Sequence, residues 1–157
     1  MLISEFGGRA VFLITGDIHQ VSTQINAELV RGTVIGIMLG DISLPASDIQ
    51  NLATRLKGAS AIVIYGPGSE RFHDIVDQNL YDSALLNGEI EQIQTGFGND
   101  EDADNLVFDT LQTFDWRQLS EAGSFLFLSF GPHSTTAKLR QLLFDPSATV
   151  RTVVERD

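Results

Sequence analysis

The 157-residue sequence predicts a three-layer α/β/α fold, a doubly wound and mostly parallel sheet of five strands between two layers of helices. Two observations carry that prediction. Four short segments, 9–15, 33–39, 59–65 and 124–130, are almost continuously apolar, as strands covered on both faces must be. Between them, apolar residues recur at three- and four-residue spacing, the mark of amphipathic helices. Strands alternating with helices over short connections imply right-handed crossovers.

Taken in order, the first strand is followed by Ile18, Val21, Ile25 and Leu29, one helical stripe that Gly32 stops. After the second strand, Ser47 and Gln50 have the spacing of a capping box, Ile49, Leu52 and Leu56 form the stripe, and Gly58 closes it. The third strand runs into Gly66-Pro67-Gly68-Ser69 and a helix marked by Phe72, Val76 and Leu80 that lasts to Gly88. The fourth runs into Gly131-Pro132-His133-Ser134 and a helix with Ala137, Leu139, Leu142 and Leu143 that Pro146 ends. The echo of Gly-Pro-x-Ser is shared turn chemistry. Residues 149–154 alternate as an edge strand would. The succession fits a flavodoxin-like or Rossmann-like sheet, with the five strands in order 2-1-3-4-5. Residues 89–116 stand outside it as an acidic insertion before the fourth main strand. There 89–97 suggests an irregular strand, and 103–114 a helix with Leu106, Val107 and Leu111 inward.

Length and composition, 43% hydrophobic and 20% charged, suit one globular domain spanning 1–157. Without cysteine the chain has no disulfide, thiolate metal site or thiol nucleophile, which fits a cytoplasmic protein. Its apolar runs are too short to span a bilayer, so no membrane association is expected. The net charge of −11 argues against gripping nucleic acid by its phosphates, although Lys138, Arg140, Arg151 and Arg156 form a local basic cluster.

That charge is segregated. Between Arg71 and Arg117 there is no Lys or Arg but there are eleven carboxylates, and the rest of the chain balances ten acids against ten bases. A solubility charge would be spread and mixed in sign. The segregation predicts a partner protein with a basic surface, met by Asp100, Glu101, Asp102, Asp104 and Asp109, with Phe97, Phe108, Phe114 and Trp116 as interleaved aromatic anchors. The competing reading packs Phe108 and Trp116 in the core. Asp100, Asp102 and Asp104 have the alternate spacing of a calcium loop, but Asn105 and Leu111 stand where an EF-hand needs Gly and Glu.

A second set of candidates lies beyond the carboxyl ends of the strands, where open parallel sheets bind ligands. In the expected order, Gly16, Asp17 and His19 face Gly66, Gly68, Ser69 and His73 across one crevice, with His133 and Ser134 on the same rim. His19 and His133 are the acid–base candidates. Gly16, Gly66, Gly68, Ser69 and Ser134 are candidates for holding a phosphorylated small molecule or nucleotide. Asp17 and Asp41, each following a Gly after neighbouring strands, are candidate ligands for Mg²⁺, the one cofactor the sequence offers. Plainer readings exist for each. Ser69 and Ser134 suit helix caps, Asp17 and Asp41 suit turns, and Glu70 would repel an anion at Ser69. No Gly-x-Gly-x-x-Gly, P-loop or Gly-x-Ser-x-Gly elbow is present. The sequence thus leaves two functions open, an acidic binding module or an enzyme or sensor at the strand ends.

Overall fold

A computed structural model describes residues 2–40, 44–87, 94–98, 103–112, 124–130 and 133–156. The elements run β1 (Leu2–Phe6), β2 (Arg9–Thr15), α1 (Ile18–Gln24), α2 (Ala27–Val30), β3 (Val34–Met38), α3 (Ala46–Arg55), β4 (Ala61–Tyr65), α4 (Ser69–Asn87), β5 (Gln94–Gly98), α5 (Ala103–Gln112), β6 (Ser124–Ser129), α6 (His133–Phe144) and α7 (Pro146–Arg156). The α/β class and the mostly parallel sheet are as expected. Among the described residues six strands lie in the order β1-β2-β6-β3-β4-β5, and all neighbours are parallel except β1 and β2.

Alternation along each strand builds two cores. Ile14, Ile35, Ile37, Ile62, Ile64, Leu126 and Leu128 face one side, where Ile18, Val21, Leu52, Leu56, Phe72 and Val76 of α1, α3 and α4 and the turn after α3 cover them. Val11, Leu13, Val34, Met38, Val63, Phe125 and Phe127 face the other, under Leu106, Val107 and Leu111 of α5 and Leu139 and Leu143 of α6. Handedness explains the division. Steps from β2 through β3 and β4 to β5 run one way along the sheet, whereas β5 to β6 runs back, so a right-handed crossover lays α5 on the opposite face. Gly36 lets α5 come close, since a Cβ there would lie 2.5 Å from Thr110 Oγ1 and 2.9 Å from the Phe127 ring.

Several expectations are corrected. The strand order is not 2-1-3-4-5, because β6 enters between β2 and β3 and does not extend the sheet beyond β4. Residues 149–154 form no edge strand but belong to α7. Asp145 accepts the Ala148 N–H at 3.1 Å, Pro146 takes the first helical position, and Thr149 and Val153 are buried one turn apart. Pro146 therefore both ends one helix and starts the next. The helix expected over 18–29 is two, because Asn26 accepts the Leu29 N–H at 2.9 Å and caps a new start. Pro45 precedes α3 with no side-chain cap, so the Ser47–Gln50 capping box does not form. The described parts of 89–116 are β5, paired with β4, and α5, packed on the sheet, a regular β-α unit of the fold. The hairpin of β1 and β2, turning at Gly7 and Gly8 with φ of 59° and 79°, went unread in the sequence.

Candidate functional site

The carboxyl ends of β2, β6, β3 and β4 form the rim to which the strand-end candidates belong. Backbone bonds lace it: Gly16 N–H donates to Ser129 O at 3.4 Å, Phe130 N–H to Met38 O at 3.0 Å and Leu39 N–H to Tyr65 O at 2.8 Å. At Gly66, φ is +109°, and a Cβ would collide with the Leu39 carbonyl oxygen. That glycine is needed for strand-end packing whatever else it does. Gly68, with φ of +75°, is exposed, and a Cβ there would meet open space.

The strand order separates the expected crevice. Gly16 at the end of β2 and Gly66 at the end of β4 have β6 and β3 between them, three strand spacings or about 14 Å. Asp17 and Asp41 were expected near each other because their strands were expected to be neighbours, but β6 intervenes between β2 and β3. Asp41 lies outside the described residues. Asp17 is the N-cap of α1: it accepts the Gln20 N–H at 2.8 Å while Gln20 Oε1 accepts the Asp17 N–H at 3.1 Å, a full capping box. The reversal of chain direction now falls at β6, whose following helix lies on one face while α1 and α3, after its two neighbours, lie on the other.

The histidines stand in different settings. His73 is largely buried in α4 and its Nδ1 lies 3.2 Å from Asp74 Oδ1. His133 is the first residue of α6, after β6, next to the strand end that leads to His19. His19 is 74% exposed, and its Nε2 lies 3.5 Å from Oδ2 of Asp48 at the start of α3. Ser69 opens α4 and is fully buried, one position inside the expected cap, and Ser134 is exposed in the first turn of α6. Ser129 and Thr136 share a hydroxyl hydrogen bond at 2.8 Å, fastening α6 to the end of β6. Among the described residues no three His, Asp or Glu side chains gather as a metal centre would require.

One feature of this region was not legible as a site. A groove of about 570 Å³ runs between α1 and α3. His19, Ser22 and Thr23 line one wall, and Asp48, Asn51, Thr54 and Arg55 the other. Arg55 Nη1 reaches the Ile25 carbonyl oxygen at 3.4 Å, at the closing end of α1. The signal in the sequence was the polar stripe Asp48, Asn51, Arg55 at helical spacing, hidden because a solvated helix face has the same pattern.

The acidic candidates divide. Asp100, Glu101 and Asp102 lie outside the described residues, as do Phe114 and Trp116. Asp104 turns inward: its side chain is 18% exposed, with Lys138 Nζ at 3.7 Å and Arg156 Nη2 at 3.2 Å. Its charge faces the chain's own cluster of bases. Asp109 and Phe108 are half-buried in α5. On α4, Glu70, Asp74 and Asp77 are exposed and recur at four- and three-residue spacing along its outer face. No described helix is long and apolar enough to cross a membrane. No protein-family model, no curated protein and no solved structure matches this chain.

Proposed function

We propose that the protein is a binding module that recognises a basic protein surface through its acidic border, the outer face of α4 together with the carboxylates that follow β5. The observation that supports this is the stripe Glu70, Asp74 and Asp77, exposed on α4 inside and beside a stretch without Lys or Arg. The opposite border, α6 and α7 packed beside β1, holds the bases Lys138, Arg140, Arg151 and Arg156, the first and last of them paired with Asp104. A molecule polarised in this way orients a charged partner before contact, so its charges act on encounter and specificity more than on final affinity. Asp100, Glu101 and Asp102 remain in the proposed surface, whereas Asp104 is a structural ion and leaves it. A cytoplasmic setting suits this role. The alternative of an enzyme at the strand ends has less support, because Asp17 is a cap, Ser69 is buried and the strands carrying Asp17 and Asp41 are not neighbours.

The test begins with affinity capture from source-cell lysate and identification of the retained protein. Dissociation constants are then measured with that purified partner at low and high salt. Exposed charges are worth about 0.2–1 kcal/mol each, so Glu70→Gln, Asp74→Asn and Asp77→Asn together should weaken binding about tenfold and flatten its salt dependence. Neutralising Asp100, Glu101 and Asp102 should add to the loss. Equal affinity and an equal salt slope in both variants would remove the proposal.

A further inference from the structure

We infer that the groove between α1 and α3 is a binding site for a small phosphorylated polyol, with the anionic group at Arg55 and the hydroxyl-bearing end at His19 and Asp48. This site is separate from the acidic border on α4 and does not depend on it.

The argument starts from what two neighbouring helices on a sheet normally do. Their apolar stripes turn down onto the strands, and here Ile18, Val21 and Ile25 of the α1 segment and Ile49, Leu52 and Ala53 of α3 all do so. The flanks facing each other are ordinarily closed by packed side chains. In this pair the flanks are polar, and several of the side chains are short: Ser22 and Thr23 on one side, Asn51 and Thr54 on the other. Short polar side chains leave the space open: the hydroxyls of Ser22, Thr23 and Thr54 donate to carbonyls of their own helices at 2.6, 2.8 and 3.0 Å and keep acceptor lone pairs, and the Asn51 amide has both a donor and an acceptor. A volume of about 570 Å³ is in the range of small-molecule sites. It runs along the two helices from His19 and Asp48, near the carboxyl ends of the strands, to Arg55 at the far end of α1.

The charges fix what enters and which way round. Asp48 and Arg55 are seven residues apart on α3, two turns and about 10 Å along one wall. Asp48 repels an anion and, with His19, offers an acceptor and a donor suited to hydroxyls. Arg55 uses one of its N–H groups on Ile25, and the guanidinium fork carries further donors that match phosphate geometry. Ser22 is not a nucleophile in this arrangement: its hydroxyl donates to the Ile18 carbonyl at 2.6 Å. Among the described residues, His19 and Asp48 are the only His, Asp or Glu that line the groove, too few donors for a metal centre, so it suits an organic ligand. The polarity of the two ends excludes an apolar ligand as well.

The experiment titrates the full chain with ribose 5-phosphate, glucose 6-phosphate and glycerol 3-phosphate, with inorganic phosphate and free ribose as controls. Binding is followed by amide and imidazole NMR shifts. The expected result is saturable binding of at least one of the three esters, with shifts at His19, Thr23, Asn51 and Thr54, and weaker binding of either control. Arg55→Gln should reduce that affinity about tenfold or more, and Arg55→Lys by less, because the charge stays while the fork is lost. Both variants should keep the parent melting temperature to within a few degrees, since Arg55 is exposed. Glu70→Gln with Asp74→Asn should leave binding unchanged. No saturable shift by any ester up to about 10 mM overturns the inference, because that limit corresponds to less than about 3 kcal/mol. Binding that Arg55→Gln does not weaken overturns it too.

Discussion

Helices α4 and α5 draw carboxylates from the same base-free stretch of sequence and use them in opposite ways. In α4, Asp74 and Asp77 face solvent and the helix is held by Phe72, Val76 and Leu80 beneath it. In α5, Asp104 is drawn in between Lys138 and Arg156, so a charge takes part in holding three helices together. The cause is topology. α4 follows β4 at the border of its layer, whereas α5 returns across the sheet and is flanked by α6 and α7. A run of like charge in a sequence therefore defines a surface only after the fold has decided which helices lie outside.

The contrast can be broken by mutation, and the largest effect should come from the apolar anchor of α4. Phe72 is 1% exposed and stacks on Phe130 with ring centroids 6.4 Å apart. Phe72→Ala should cost about 3–5 kcal/mol by chemical denaturation, and a cost below about 1 kcal/mol would mean that α4 is held by something other than its core stripe.

A smaller effect should follow Asp104→Asn, which leaves two cations facing a neutral group. Because Lys138 and Arg156 are about half exposed, at 55% and 47%, solvent screens the loss and about 1–2 kcal/mol is expected. A double-mutant cycle with Arg156→Gln should return a coupling energy well above error, and additive losses would show that the pair contributes nothing. The least change is expected for Glu70→Gln, Asp74→Asn and Asp77→Asn combined. Their summed effect on stability should stay within about 1 kcal/mol, so a large loss would mean that the carboxylates of α4 hold the fold together as Asp104 does in α5.

These two helices also show what a sequence discloses and what it hides. Leu106, Val107 and Leu111 were legible as the inward stripe of α5, since burial needs only the helical period, and all three are fully buried. The partners of Asp104 were not, because Arg156 is 52 residues further on and no local pattern links them. The four main strands were legible as apolar runs, but such a run looks the same whichever strand lies beside it. Their order, and with it the crevice drawn between Gly16 and Gly66, therefore had no local signature. Leu2–Phe6 was missed because Ser4 and Glu5 interrupt its apolar character, although Gly7-Gly8 was a usable hairpin signal. Val150, Thr152 and Val154 alternate as a strand would, yet the cap and Pro at 145–146 outweighed them. At the candidate site, His19 was picked out by residue type alone. Asp48 and Arg55, two turns apart on one helix face, needed the opposing helix to become a groove.

The place of β6 also matters to how the chain is made. Residues 124–129 are the last of the described strands in sequence, yet they join β2 on one side to β3 on the other. During synthesis the hairpin at the start and the β3–β4–β5 group emerge first, and no described strand connects the two until β6 leaves the ribosome. The end of β3 and the start of β6 are 124 − 38 = 86 residues apart. At about 5–20 residues per second that is roughly 4–17 s during which the facing edges of β2 and β3 lack the strand that will separate them. Closure through such a distant segment is slow by its contact order. The interval leaves two apolar edges open to premature pairing with each other or with a neighbouring nascent chain. A ribosome that stalls before residue 124 would leave the β1–β2 hairpin and the β3–β4–β5 group without the strand that pairs with both.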